Sequence, residues 1–307
     1  MNVITLTLNP ALDKSAKIDQ LLPEQKLKCH SIQYQAGGGG VNISRVLNEL
    51  QVKNKCLFTA GGDTGSQLKK LLKEEQINIK PIDVKAWTRE NLSVVNTKTD
   101  LQYRFGMPGN ELQKEEIEAV KAILKEEVKE NSILVLSGSL AEKTPSNLYV
   151  RFINMLAEKN VKVIVDTSGE ALMETLKENV YLIKPNQKEL ADLAGKDFLS
   201  KNEQEDFAME LIHSKKAKYV VVSLGARGAF IASSEGVFYR SAPSVKVRST
   251  IGAGDSMVAG MVYAIQKGLQ SEDILKWGVV CGVATTMTEG PNLATKEDMN
   301  TVMSLMD

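Results

Sequence analysis

Cysteine, histidine and aromatic side chains are scarce in this chain, and each shortage closes off a class of protein. The 307 residues include three cysteines, Cys29, Cys56 and Cys281. Odd in number and far apart, they exclude a disulfide framework and a CxxC metal site and fit a reducing compartment. The two histidines, His30 and His213, stand among polar residues without a ligand-spaced partner, so zinc chemistry is not expected. Aromatics make up only 5% of a composition that is 43% hydrophobic, so Val, Ile, Leu and Ala must fill the core. Charge of one sign is lacking too. Thirty-eight basic residues balance thirty-eight acidic ones, which argues against a nucleic-acid partner. No apolar run reaches the roughly eighteen residues of a membrane span. The opening MNVITLTLNPALD lacks the basic-then-apolar pattern of a secretory leader. A cytoplasmic protein with no membrane contact is expected.

What is present is alternation. Short β-branched runs at 3–8, 55–59, 133–136, 161–165, 181–183 and 219–223 read as buried strands. Helical spacing follows at 65–75, 113–129, 145–159 and 206–215, and again at 256–266, 273–287 and 296–306. Such β–α alternation implies a mostly parallel sheet covered on both faces. Two segments, 13–36 and 86–105, break the pattern. Their half-polar alternation (SAKID, SIQYQ, LSVVNT) fits one small exposed antiparallel sheet projecting from a main domain made of 1–12, 37–85 and 106–307. The apolar face of that sheet needs a cover, either a ligand or a second copy of the chain.

The stretch 250–256, TIGAGDS, places glycines before a long apolar helix, where backbone N–H groups and the helix dipole converge on an anion. Asp255 reads equally as a helix cap and as a general base for a substrate hydroxyl. Anion hole and proton acceptor together are what phosphoryl transfer asks of a protein. In 184–190, KPNQKEL, Asn186 and Glu189 form either a capping box or a pair of oxygen ligands suited to magnesium through water, and Lys184 suits a phosphate. Four glycines, 37–40, precede a helix that carries Asn42. Their spacing does not supply the third glycine of a dinucleotide fingerprint. Asp13 follows the first strand, either as a turn former or as a ligand at a strand end. Lys26, Lys28, Arg89 and Arg104 supply local positive charge in the small sheet, suited to a phosphate dianion. The turn SLGARG at 223–228 closes the run YVVVS and suits a nucleotide's phosphates or ribose.

Taken together, TLTLNPALD, AGGGGVN, WTREN, QYRFGMPG, LSGSL, VDTSGEAL, KPNQKEL, VVSLGARGA and STIGAGDSMVAG occur in an order that resembles the ribokinase-like (PfkB) family of carbohydrate kinases over nearly the whole chain. Within it the chain is most similar to the phosphofructokinase and tagatose-6-phosphate kinase branch. The resemblance implies a three-layer α/β/α sandwich with a small β-sheet lid, and a homodimer through that lid. It implies transfer of the γ-phosphoryl group of ATP, with Mg2+ and K+ as cofactors, to a ketohexose phosphate. Fructose 6-phosphate is the first expectation, with fructose 1-phosphate and tagatose 6-phosphate as alternatives. A sensor that binds these ligands without transfer is the non-enzymatic reading.

By the same resemblance Asp255 is the base, and Gly252, Ala253 and Gly254 build the anion hole with it. Asp13, Gly38, Gly39, Asn42, Lys26, Arg89, Arg104 and Ser139 bind the sugar phosphate. Lys184, Asn186, Ser223, Gly225, Gly228, Val279 and Val283 line the nucleotide, and Asn186 and Glu189 organise Mg2+. Ser249, Ile251, Thr285, Thr288, Gly290 and Asn292 occupy the family's potassium loop. Many relatives carry lysine where Gly39 stands, so the charge facing the sugar phosphate must come from elsewhere.

Overall fold

Runs that are apolar at every position form the interior strands. The computed structural model describes residues 1–306. In it β1 (Val3–Thr7), β4 (Asn54–Ala60), β5 (Ile79–Asp83), β8 (Ile133–Ser137), β9 (Lys162–Asp166), β10 (Val180–Ile183) and β11 (Ala217–Ser223) are parallel to one another. β12 (Ala229–Ser233) and β13 (Gly236–Arg240) close one edge antiparallel, giving the order β13-β12-β11-β10-β9-β8-β1-β4-β5.

Alternate residues of a strand enter opposite cores. Leu134 and Leu136 pack toward α3 (Lys114–Glu127), α4 (Leu148–Met155) and α6 (Gln187–Leu193). Ile133 and Val135 pack toward α1 (Gly39–Glu49), α8 (Ala253–Gln266) and α9 (Ser271–Thr286). This is the expected three-layer α/β/α arrangement. Strand order reverses between β1 and β8, and in open α/β sheets the crevice at such a switch point, beyond the carboxyl ends, takes the ligand.

A second sheet of four strands, β3-β2-β6-β7, is built from β2 (Ala11–Ile18), β3 (His30–Gly37), β6 (Arg89–Asn96) and β7 (Leu101–Phe105). It is not wholly antiparallel as its sequence suggests. β2 and β6 leave the main sheet in the same direction and pair in parallel, Ala11 with Arg89 through Ile18 with Asn96. Alternation encodes which face a side chain takes, not strand direction.

Other boundaries moved for local reasons. The helix expected over 145–159 runs only Leu148–Met155, with a short 3-10 turn at Ala157–Lys159. The helix expected from 206 begins at Lys201, because Ser200 and Glu203 form a capping box. The hairpin of β12 and β13 and the helix α5 (Gly169–Thr175) add to the expected elements.

Candidate active site

The carboxyl ends of the central strands deliver a charged cluster. Asp166 ends β9 and lies 3.2 Å from Nζ of Lys184, which follows β10; both side chains are largely buried. Ser137, ending β8, hydrogen-bonds Asp166 through its Oγ at 3.4 Å. Opposite them, Gly252 takes a left-handed φ of 73° and lets the chain turn directly into α8. Asp255 is therefore the third residue inside the helix, and its side chain makes no cap. The helix-cap reading falls.

The amides of Gly254 and Asp255 precede the first i to i−4 bond, from Ser256 N–H to Gly252 O at 2.8 Å, and so remain available to an anion. A Cβ placed on Gly254 would lie 3.5 Å from Lys184 Nζ, so the ammonium faces this loop. Asn42, in the first turns of α1, donates from Nδ2 to Asp255 Oδ2 at 2.8 Å.

The electrostatics single out Asp255. Burial, then the negative charge of Asp166, pushes its carboxyl up to about 7, against the opposing pull of Asn42 and Lys184. Burial works against the charge on Lys184, but Asp166, with Glu189 and Asp255 behind it, outweighs burial and raises its pKa. A carboxylate poised near neutrality beside free amides and a fixed cation can accept a proton while its neighbours hold an anion.

The second sheet supplies the other wall. Asp13 on β2 accepts from Asn91 Nδ2 at 2.8 Å, and burial raises its pKa, partly offset by Asn91, Arg89, Arg104 and Arg45. Arg89 and Arg104 line with Asp13 a cavity of about 510 Å3 that Ile251 and Pro291 close on the α8 side. Burial lowers the pKa of Arg89, and Asp13 opposes that shift. Gly38 and Gly39 open α1 at the switch point. A Cβ on Gly39 would collide with Ser137 Oγ and the Gly138 backbone, so in this chain α1 approaches the end of β8 more closely than a side chain at 39 would allow. Ser139 is exposed on the turn after β8.

This chain matches the model of the pfkB family carbohydrate kinases over residues 3–298. The chain belongs to the pfkB family of carbohydrate kinases. The ATP-dependent 6-phosphofructokinase isozyme 2 of Escherichia coli is 36% identical over all of this chain and 99% of its own length. The 1-phosphofructokinase of Bacillus subtilis is 32% identical over 96% of this chain and 95% of its own. Crystal structures of the Escherichia coli phosphofructokinase-2, one with substrates and products and one with potassium, superimpose with TM-scores of 0.96 and 0.95 at 36% identity; they cover 100% and 99% of this chain and 99% of their own.

In this carbohydrate kinase the segments 184–189 and 223–228 are neighbours. Asn186 and Ser223 form a parallel bridge, and Ser223 N–H donates to Pro185 O at 3.1 Å. Gly225 and Gly228 bound a short 3-10 turn, and Arg227 reaches Gln187 Oε1 at 2.9 Å. Asn186 and Glu189 form the complete capping box: Asn186 Oδ1 accepts the Glu189 amide at 2.9 Å, and Glu189 Oε2 accepts the Asn186 amide at 2.8 Å. Burial raises the pKa of Glu189 against the pull of that amide and of Lys184. Val279 is only 4% exposed and packs in the core beneath α8, whereas Val283 is half-buried at its margin.

The loop from Thr285 to Asn292 closes on itself. Thr288 Oγ1 bridges Thr285 O and Asn292 O, and the amides of Arg248 and Ser249 both donate to Thr286 O. Lys26 is exposed in the 19–29 connection and does not line the Asp13 cavity. Sequence reasoning missed Asp166 and Asn91. An acid ending the apolar run KVIVD carries the same strand-end signal as Asp13, and Asn91 closes the motif WTREN, which gave it no role of its own.

Proposed function

We propose that the chain moves the γ-phosphoryl group of ATP onto a hydroxyl of a ketohexose phosphate, with fructose 6-phosphate as the acceptor and fructose 1,6-bisphosphate as the product. The observation that carries this reading is Asp255. It is one carboxylate held by Asn42, shifted toward neutrality, and seated among the first amides of α8. In the step, the acceptor hydroxyl gives its proton to Asp255 and its oxygen bonds the terminal phosphorus. The bond from that phosphorus to the bridging oxygen breaks, and ADP leaves. The amides of Gly254 and Asp255, with Lys184, hold the charge on the transferring group, while that of Ala253 donates to Thr250 O at 3.4 Å.

On the acceptor side, Asp13, Asn42 and the backbone of Gly38 and Gly39 take sugar hydroxyls. Arg89 and Arg104 take the phosphate already present, with Ser139 at the rim. That cationic pair favours a phosphorylated acceptor over a neutral sugar. Fructose 6-phosphate is chosen because the relative at 36% identity is named for it. The relative at 32% keeps fructose 1-phosphate as the second reading.

The nucleotide is assigned to Lys184, Asn186, Ser223, Gly225, Gly228 and Val283. Among the described residues no cluster of acidic, histidine or cysteine side chains forms a metal cage of its own. Mg2+ keeps several waters and uses one or two carboxylates together with substrate phosphates, so Glu189 with Asn186, acting through water, fits it. Once bound it neutralises phosphate charge. A potassium ion fits Ser249, Ile251, Thr285, Thr288, Gly290 and Asn292. The carbonyls of Ser249 and Ile251 accept no backbone hydrogen bond among the described residues and are hard oxygen donors.

The small sheet is read as a lid. By strand alternation Asp13, Asn91, Ser93 and Arg104 share one face, and Ile32, Tyr34, Leu101 and Phe105 the other. Those four apolar side chains are 41–57% exposed, so a second copy of the chain, rather than the acceptor, is the cover assigned to that face. Sedimentation at assay concentration should give a dimer.

The deciding experiment measures ADP release with MgATP and, in parallel, fructose 6-phosphate, fructose 1-phosphate, tagatose 6-phosphate and fructose. The expected order places fructose 6-phosphate first in kcat/KM and fructose last. Absence of turnover on every phosphorylated acceptor would overturn the assignment and favour a sensor.

A further inference from the structure

Asn91 touches both Asp13 and the turn that follows β7. Its Nδ2 donates to Asp13 Oδ1 at 2.8 Å, while its Oδ1 accepts the Met107 amide at 3.2 Å. The amide orientation follows from its partners, because Met107 N–H can only donate and an ionised Asp13 can only accept. The carbonyl of the same residue is gripped as well: Met107 O accepts from Arg89 Nη1 at 2.6 Å. Arg89 Nε reaches Asn9 O at 3.3 Å, and Asn9 Nδ2 holds Pro108 O at 3.0 Å. Asn91, Arg89 and Asn9 thus fix successive residues of one turn, which continues the strand that carries Arg104.

We propose that Asn91 is a positioning residue for the acceptor site: it aims the Asp13 carboxylate and ties it to the turn that Arg89 grips. The proposal rests on the reading of Asp13 as a ligand of the acceptor hydroxyls. A leucine or alanine at 91 would leave a buried carboxylate without its neutral donor. An aspartate at 91 would keep the shape and the bond from Met107, yet place a second negative charge against Asp13. Asp13 also faces Arg89 and Arg104 in the lid, and Arg45 and Asp255 from the main domain. Burial opposes its ionised form and the arginines favour it, so the Asn91 donor acts in a balance that is already contested.

The test compares Asn91→Ala, Asn91→Asp and Asp13→Asn by steady-state kinetics, varying fructose 6-phosphate at saturating MgATP and then the reverse. Loss of a hydrogen bond to a charged group predicts an acceptor KM about tenfold higher for Asn91→Ala, with kcat and the nucleotide KM within about twofold. Asn91→Asp should be worse than Asn91→Ala although it is isosteric, an order that a role in holding the turn alone would reverse. It also keeps the test open should the alanine variant fail to fold. Asn91→Asp behaving like wild type, or milder than alanine, overturns the proposal. If Asp13→Asn raises the acceptor KM while both Asn91 variants leave it unchanged, the positioning role alone is lost. If Asp13→Asn changes nothing, the reading of Asp13 itself is lost.

Discussion

At the edge of the main sheet the charged groups stand on strand ends and a helix start, whereas in the lid they stand along strands and reach the cleft only with the help of a turn. Asp166, Lys184 and Asp255 are fixed by backbone that belongs to the core; Asp166 pairs with Lys184, and Asn42 on α1 holds Asp255. Arg89 and Asp13 depend on Asn9, Asn91 and the 106–109 turn for their placement, and Arg104 stands on the strand that leads into that turn. In the proposed reaction the first cluster holds the charge that develops in transfer, and the second recognises what arrives. Damage at the sheet edge should therefore appear in kcat, and damage in the lid in the acceptor KM.

The largest effect is expected from Asp255→Asn, which keeps the bond from Asn42 in reach but removes the base. Turnover should fall about a hundred- to ten-thousand-fold with the acceptor KM little changed. Near-normal turnover in that variant would remove the contrast between the two clusters altogether. The pH dependence sharpens it. With the carboxyl raised to about 7, the base is protonated below neutrality, and kcat should drop about tenfold per pH unit on that side. The stability consequence has the opposite sense from an ordinary salt-bridged aspartate. A raised carboxyl binds its proton more tightly folded than unfolded, so its ionisation weakens the fold increasingly from the ordinary value of 3.8 up to about 7. Thermal melts of Asp255→Asn against wild type should diverge as pH rises through that window and stay parallel above it.

Next in size is Arg89→Ala. Removing a half-buried guanidinium from the acceptor wall should raise the KM for a phosphorylated acceptor roughly ten- to a hundredfold, with kcat nearly preserved. An unchanged KM would mean that the lid does not read the phosphate. A fall confined to kcat would mean that the two walls are not separate in function.

The same contrast explains what the sequence revealed. Strand-end chemistry is legible because an apolar run followed by Gly, Asp or Lys announces both the strand and its exit, and Asp13, Lys184 and the loop before Asp255 were all found in this way. Asp166 carried that signal, and the motif VDTSGEAL that contains it was read for the family resemblance alone. The lid is harder. Half-polar alternation marks its strands but not the parallel pairing of β2 with β6, nor that Asn91 sits beside Asp13 in the register. Lys26 was expected in the site because cations in the lid look alike in sequence, yet the 19–29 connection leaves it exposed. Val279 was expected against the nucleotide from the family resemblance, but it is buried in the core beneath α8.

The smallest expected effect lies where the two regions touch. Gln35, opposite Asp13 on β3, donates from Nε2 to Asn292 Oδ1 at 2.5 Å, linking the lid to the loop assigned to potassium. Its Oε1 is buried without a partner, so half of the amide already lacks its bond, and truncation forfeits little. Gln35→Ala should shift the acceptor KM by less than about threefold and leave turnover intact, if the clusters work independently. A large shift that depends on potassium concentration would mean instead that the loop and the lid move as one element. The division between a rigid transferring edge and a recognising lid would then give way to a single coupled site.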